Sequence, residues 1–240
     1  MTRRNLLSFA AAAVLAALCG HSPLALIGSS GPTGSGPAGS GPTGSALTGL
    51  AFTRSAAAAE PQTETAVLAG GCFWCIELSF EQLAGVVDVE SGYCGGTKET
   101  ANYDQVRRGT TGHAEAIRVT YDPAKITYGK LLDVFFSAHD PTQLNRQGND
   151  IGRQYRSAIF FTSAEQKKEA EAKIAELERK RVHTKRIVTK LEPLTEFYPA
   201  ELFHQDFARR NPYVPYIQGH AVPKAKEVRS KHPELLRKGP

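Results

Sequence analysis

Cys72 and Cys75 are the residues of this sequence whose type and spacing best suit chemistry. They stand in Gly70-Gly71-Cys72-Phe73-Trp74-Cys75, just after a short apolar run that reads as a strand and at the start of a helical pattern. A cysteine in a first helical turn faces unpaired backbone N–H groups and the positive end of the helix dipole, and both stabilise a thiolate. The pKa of Cys72 is therefore expected to fall. Cys75 lies one turn on, where residues i and i+3 are neighbours, so a disulfide between the two is within reach. The glycines let the backbone approach a substrate closely. Two structural cysteines of an exported protein could share this spacing, but a C-x-x-C at a strand-to-helix junction favours redox chemistry.

The elements that must position this turn can be read along the chain. Thr65 to Ala69 is a buried strand closed by Gly70-Gly71, and Ile76, Phe80 and Leu83 form one helical stripe. Strands are expected over Val86 to Tyr93, His113 to Tyr121, Arg156 to Phe161 and Ile187 to Glu192. Helices are expected over Tyr128 to Ser137, Ser163 to Lys180 and Ala200 to Ala208, the second opened by the capping box Ser163-Ala164-Glu165-Gln166. No βαβ period repeats, so the fold expected is α+β, a single domain with a mixed β-sheet flanked by helices. A metal site would need ligands beyond one C-x-x-C. The His113-Ala114-Glu115 triplet is not half of a zinc deaminase site, because the cysteine pair comes first and lacks the proline.

The amino-terminal part reads differently. No Asp, Glu, Lys or Arg stands between Arg4 and Arg54. Residues 1–27 are expected to be an export signal, with Arg3 and Arg4 before an apolar core too short for a membrane span. Thr2-Arg3-Arg4-Asn5-Leu6-Leu7 fits a twin-arginine signal and equally an ordinary secretory one. Ala16-Ala17-Leu18 is a poor processing site for a lipid anchor at Cys19, so none is expected. Residues 28–62 form a Gly/Pro/Ser/Ala linker that cannot bury enough apolar surface to offset chain entropy. The catalytic domain is then 63–222 and a basic tail 223–240. The net charge of +5 is mild and spread out. The densest basic stretch, Lys180 to Arg186, has no interleaved aromatic residues and reads as a solvated helix end rather than a nucleic-acid patch. The sole methionine is Met1, a composition that suits work where methionine is oxidised.

Together with several blocks further along the chain, the cysteine turn resembles the methionine sulfoxide reductase A family, the peptide-methionine (S)-S-oxide reductases, from about Val67 to Ile217. The matching blocks are Gly71-Cys72-Phe73-Trp74, Ser91-Gly92-Tyr93-Cys94-Gly95-Gly96, Thr111-Gly112-His113-Ala114-Glu115-Ala116, His139-Asp140-Pro141, Arg146-Gln147-Gly148-Asn149-Asp150, Gln154-Tyr155-Arg156-Ser157, Phe197-Tyr198-Pro199-Ala200-Glu201 and His204-Gln205-Asp206. The resemblance implies a ferredoxin-like core with extensions. It implies that Cys72 attacks the sulfoxide sulfur, Glu115 protonates the oxygen, Tyr103 and Tyr155 hydrogen-bond that oxygen, and Asp150 orients this polar set. Phe73 and Trp74 would grip the substrate methyl group. The sulfenic acid left on Cys72 would be resolved by Cys75, as in the subgroup with Cys-Phe-Trp-Cys. Cys94 would serve as a relay thiol or simply pack as a small residue. No cofactor is implied. Electrons would come from thioredoxin or a similar dithiol protein, and the substrates would be oxidised proteins and free methionine sulfoxide, which the enzyme would repair. His113, His139 and His204 read as structural. A monomer is expected, exported to the periplasm or another extracytoplasmic space, with no stable membrane insertion and no nucleic acid.

Two other readings remain at this point. A thiol–disulfide oxidoreductase would use the C-x-x-C directly and need neither Glu115 nor the tyrosines. A binding module would use Phe73 and Trp74 as an exposed anchor stapled by a disulfide.

Overall fold

The computed structural model describes residues 62–238. The export signal, Cys19 and the linker up to residue 61 lie outside the described residues. Among those described, no helix is long and apolar enough to cross a membrane.

The apolar run after residue 63 forms β1 (Glu64–Gly70), and α1 (Phe73–Glu81) follows after a two-residue turn. Then come β2 (Val86–Cys94), a short α2 (Tyr103–Val106), β3 (Ala114–Tyr121) and α3 (Tyr128–Ala138). A two-residue hairpin, β4 (Arg146–Gln147) and β5 (Asp150–Ile151), precedes β6 (Ser157–Phe161) and α4 (Ala164–Arg179). The chain closes with β7 (Lys190–Pro193), β8 (Phe197–Pro199), α5 (Phe207–Arg210) and α6 (Val222–Lys231).

Six strands form one sheet in the order β7-β6-β1-β3-β2-β8, antiparallel except for the β6–β7 pair. Its central part, β1-α1-β2-β3-α3-β6 with β1 and β3 innermost, is the ferredoxin-like arrangement expected. Alternation along β1 sends Ala66 and Leu68 into the main core under the helices, and Val67 and Ala69 to the opposite face. Both faces of β1 are thus covered, which is why its sequence reads as an unbroken apolar run. The capping box of α4 forms with a shift: Ser163 Oγ accepts the Gln166 N–H, while Gln166 Oε1 accepts the N–H of Thr162.

Three expectations are corrected here. Ala200 to Ala208 is not a helix but a series of turns that ends in the four-residue α5. Its polar side chains are spent on other elements: Gln205 pairs with both the N–H and the C=O of Ser91, and Glu201 receives the Tyr93 hydroxyl and the Tyr103 N–H. Residues 223–240, expected as a basic tail after the domain, are in part built into it. Residues 222–231 form α6, which packs against α1 and α3 with Ala225 and Val228 buried. The last expected strand also starts later, since Ile187 is buried but pairing begins at Lys190.

The turn between β1 and α1 depends on Gly71. Its φ of +102° is unfavourable for an L side chain, and a Cβ there would lie 2.7 Å from Cβ and Cγ of Gln147. Gln147 cannot easily yield, because it exchanges two hydrogen bonds with the backbone of Asp140. Gly71→Ala is expected to lower stability by on the order of 2 kcal/mol, measured by urea unfolding. An unchanged midpoint would mean that the turn adapts.

Candidate functional site

Cys72 occupies the position just before α1 and is buried, 6% exposed. Glu115 reaches it from β3. Its neighbours Ala114 and Ala116 point to the far face of the sheet, so Glu115 points under the first turn of α1. There the backbone N–H of Phe73 donates to Glu115 Oε2 at 3.1 Å. Tyr103 begins α2, where Asn102 Oδ1 caps the helix, and Tyr155 ends a short 3₁₀ turn. Asp150 is placed by the β4–β5 hairpin.

Seven of the residues singled out from sequence meet around one cavity of about 210 Å³: Cys72, Phe73, Trp74, Tyr103, Glu115, Asp150 and Tyr155. Cys75 lies just behind it on α1, fully buried, its side chain hydrogen-bonded to that of Cys72. Both thiols are free. Cys94 is elsewhere. It follows Tyr93 on β2, and where Tyr93 joins the core beside Phe73, Cys94 packs on the opposite face with Ala114 and Phe197. Its thiol donates to the carbonyl of Glu196 at 3.2 Å. The sheet separates it from the cavity.

The aromatic wall is braced from behind. The Trp74 ring stacks on Phe207 at 4.1 Å, and its indole N–H donates to His204 Nδ1 at 3.2 Å. His204 also packs on Phe73 and Tyr103, so this histidine supports the pocket from one shell away. His139 is fully engaged between the Phe135 carbonyl and the Ser157 hydroxyl, and burial pushes its pKa down to about 4. Among the described residues no group of acids, histidines and cysteines could hold a metal ion.

Sequence reasoning missed Tyr216. Its hydroxyl donates to Asp150 Oδ2 at 2.6 Å, it is a hydrogen-bond neighbour of Cys72, and it lines the cavity. Nothing in the local sequence separates it from Tyr213, three residues earlier, which is 90% exposed.

The electrostatics correct one expectation. Burial pushes the Cys72 thiol well above the ordinary cysteine range, and the neighbouring Cys75 adds to this. The helix start does not offset it, because the Phe73 N–H is taken by Glu115 and none caps the cysteine side chain. The hydrogen bond from Cys72 instead favours the thiolate of Cys75 and lowers its pKa. Glu115, 2% exposed, is also raised far above the usual carboxylate range, first by burial and then by Cys72, and the Phe73 N–H only partly opposes this. The cavity therefore favours the protonated form of both the Glu115 carboxyl and the Cys72 thiol, with tyrosine hydroxyls across from them.

A buried thiol facing an acid and hydroxyl donors is the equipment of a thiol oxidoreductase whose substrate gives up an oxygen atom. The comparisons make this specific. The peptide methionine sulfoxide reductase family model matches residues 64–236. The chain is 53% identical over 176 residues to peptide methionine sulfoxide reductase MsrA 2 of Synechocystis sp., covering 73% of this chain and 82% of that one. It is 58% identical over 145 residues to the MsrA of Erwinia tasmaniensis, with 60% and 80% covered. The reduced crystal structure of Mxr1 from Saccharomyces cerevisiae superposes with a TM-score of 0.62 at 36% identity, covering 66% of this chain and 91% of that one. Methionine sulfoxide reductase A of Corynebacterium diphtheriae gives 0.56, also at 36% identity, with 66% and 80% covered. The chain belongs to the peptide methionine sulfoxide reductase family, oxidoreductases that return methionine sulfoxide to methionine.

Proposed function

We propose that the chain reduces methionine-(S)-sulfoxide, in oxidised proteins and as the free amino acid, by direct attack of Cys72 on sulfur. The observation that carries this route is the cavity in which Cys72 and the buried, proton-bearing Glu115 face each other. Phe73 and Trp74 hold the substrate methyl group, a contact that suits soft sulfur. Tyr103 and Tyr155 donate to the sulfoxide oxygen as charge develops on it, as an oxyanion hole does. Sulfoxide oxygen is displaced readily only when protonated, and Glu115 supplies that proton. The attack joins the Cys72 and substrate sulfurs. The protonated oxygen then passes to the Cys72 sulfur as that S–S bond and the substrate S–O bond break, methionine departs, and Cys72 keeps the OH as a sulfenic acid, with the thiol proton returning to Glu115.

Cys75 then attacks the Cys72 sulfur, a disulfide forms and water leaves. An outside dithiol of thioredoxin type opens the disulfide by exchange, giving two thiols here and a disulfide on the donor. Cys72 is the sulfur that retains some exposure, so the donor attacks there and Cys75 leaves. Cys94, across the sheet, takes no part. Every group the route needs comes from one chain, which acts as a monomer without a bound cofactor. Arg3, Arg4 and the apolar segment after them support export, so the donor and targets are extracytoplasmic.

The test is single-turnover reduction of a peptide carrying the separate S and R sulfoxides, with no reductant added. About one methionine per enzyme from the S form alone, with a Cys72–Cys75 disulfide found by mass mapping, is the expected result. No methionine from either epimer, in folded and reduced protein, would return the reading to disulfide exchange. Cys75→Ser should leave that single turnover intact and reduce steady-state turnover with thioredoxin to a few per cent or less. Continued recycling by Cys75→Ser would remove Cys75 as resolving thiol.

A further inference from the structure

The back of the cysteine turn faces a second, larger cavity of about 550 Å³, lined by His139, Asp140, Gln147, Lys224 and Glu227 among others. Lys224 belongs to α6, which packs along α1, and its Nζ stands 3.9 Å from where a Cβ on Gly71 would lie. The ammonium is half-buried and makes no ion pair among the described residues. The carboxylates nearby are occupied elsewhere. Glu227 pairs with Lys231 at 2.7 Å, Asp133 pairs with Lys173 at 2.7 Å, and Asp140 accepts from Thr142 and Gln143. A positive charge is thus held, uncompensated, against the turn that carries both thiols.

We propose that Lys224 is a positioning residue for the disulfide steps, stabilising Cys75 as thiolate when it attacks the Cys72 sulfenic acid and when it leaves during re-reduction. This rests on Cys75 being the resolving thiol. The groups that act on Cys75 are Cys72 from the turn that leads into its helix, Asp150 and Tyr216 from the cavity side, and Lys224 from α6. The thiol of Cys72 donates to the thiolate, Lys224 favours it by charge, and Asp150, which holds the Tyr216 hydroxyl proton, opposes it. In the attack, the Cys75 sulfur forms the S–S bond, the S–O bond of the sulfenic acid breaks, and the OH leaves as water with a proton from Glu115. In re-reduction, the donor thiolate attacks Cys72 and the Cys72–Cys75 bond breaks with its electron pair on Cys75. A nearby cation assists the same atom in both directions. Lys224 does not line the substrate cavity, so it should leave the first step alone.

The experiment is single turnover of Lys224→Met and Lys224→Arg with a methionine sulfoxide peptide, following methionine release and loss of free thiols separately across pH 6 to 9. Lys224→Met should release methionine at the wild-type rate, which also reports a folded pocket. It should form the disulfide about ten-fold more slowly near pH 6.5 and approach wild type at high pH, where Cys75 ionises without help from the cation. Lys224→Arg should behave like the wild type. Disulfide formation by Lys224→Met at the wild-type rate throughout this range would overturn the proposal. Sustained recycling by Cys75→Ser would instead overturn the reading on which it rests.

Discussion

Cys72→Ser should abolish sulfoxide reduction, with no methionine released even in a single turnover and a loss of at least about a thousand-fold, as expected when an activated nucleophile is removed. Serine fits the site, for Cys72 makes no side-chain cap to the helix and serine is the smaller residue. The loss therefore reports chemistry rather than folding. A hydroxyl is a far weaker nucleophile towards sulfur than a thiolate, and Glu115, whose pKa burial raises, is suited to give a proton rather than to take one. The informative comparison is with Cys75, whose thiol is the more readily ionised of the two at rest. Were acidity alone decisive, Cys75 would take over in the variant. It does not line the cavity and has no exposed surface, so substrate sulfur cannot reach it. Rapid-quench measurement of methionine decides the matter: release above about one per cent of the wild-type rate would move the attack to Cys75.

That comparison marks where the sequence stops being readable. The strand into Gly70-Gly71 and the stripe of Ile76 and Phe80 were visible because burial on one side leaves a periodic apolar trace. The blocks around Glu115, Asp150 and Tyr155 were visible by resemblance, and the structure brings them to one cavity. The acidity of Cys72 was not. A helix start favours a thiolate in general, but here β3 places Glu115 under the same amide and the thiol is sealed from water. Such an outcome depends on which side chain wins a single N–H, and spacing does not record it. The turns at 200–208 misled for a related reason. Glu201, His204 and Gln205 recur at helical intervals, yet each is committed to another element. In α6 only Ala225 and Val228 turn fully inward, too sparse a signal among lysines and arginines to separate a packed helix from a solvated tail.

Glu115→Gln should lower kcat/KM by about 10²–10⁴-fold, the usual worth of a positioned general acid, while making the protein more stable. Glutamine keeps an oxygen to accept the Phe73 N–H, so the turn of α1 retains its partner and the cavity its shape. What is lost is the proton. Because burial raises the Glu115 pKa, the acid form persists to higher pH than in an ordinary carboxyl, and activity should decline as pH rises through that raised value. The amide variant should lack this limb in its residual activity. Stability moves the other way, with a definite sign. A carboxyl whose folded pKa exceeds its unfolded one makes the folded state bind more protons. Its contribution is fully present below about pH 4.5 and is lost as pH climbs towards the folded pKa. Glutamine carries no such burden, so its melting temperature should exceed that of the wild type by a margin that widens from pH 5 to pH 9. Thermal melts and rate profiles on the same samples test both halves. Equal pH dependence of stability in the two proteins would mean that Glu115 is not a buried, proton-bearing acid, and the displaced oxygen would need another donor.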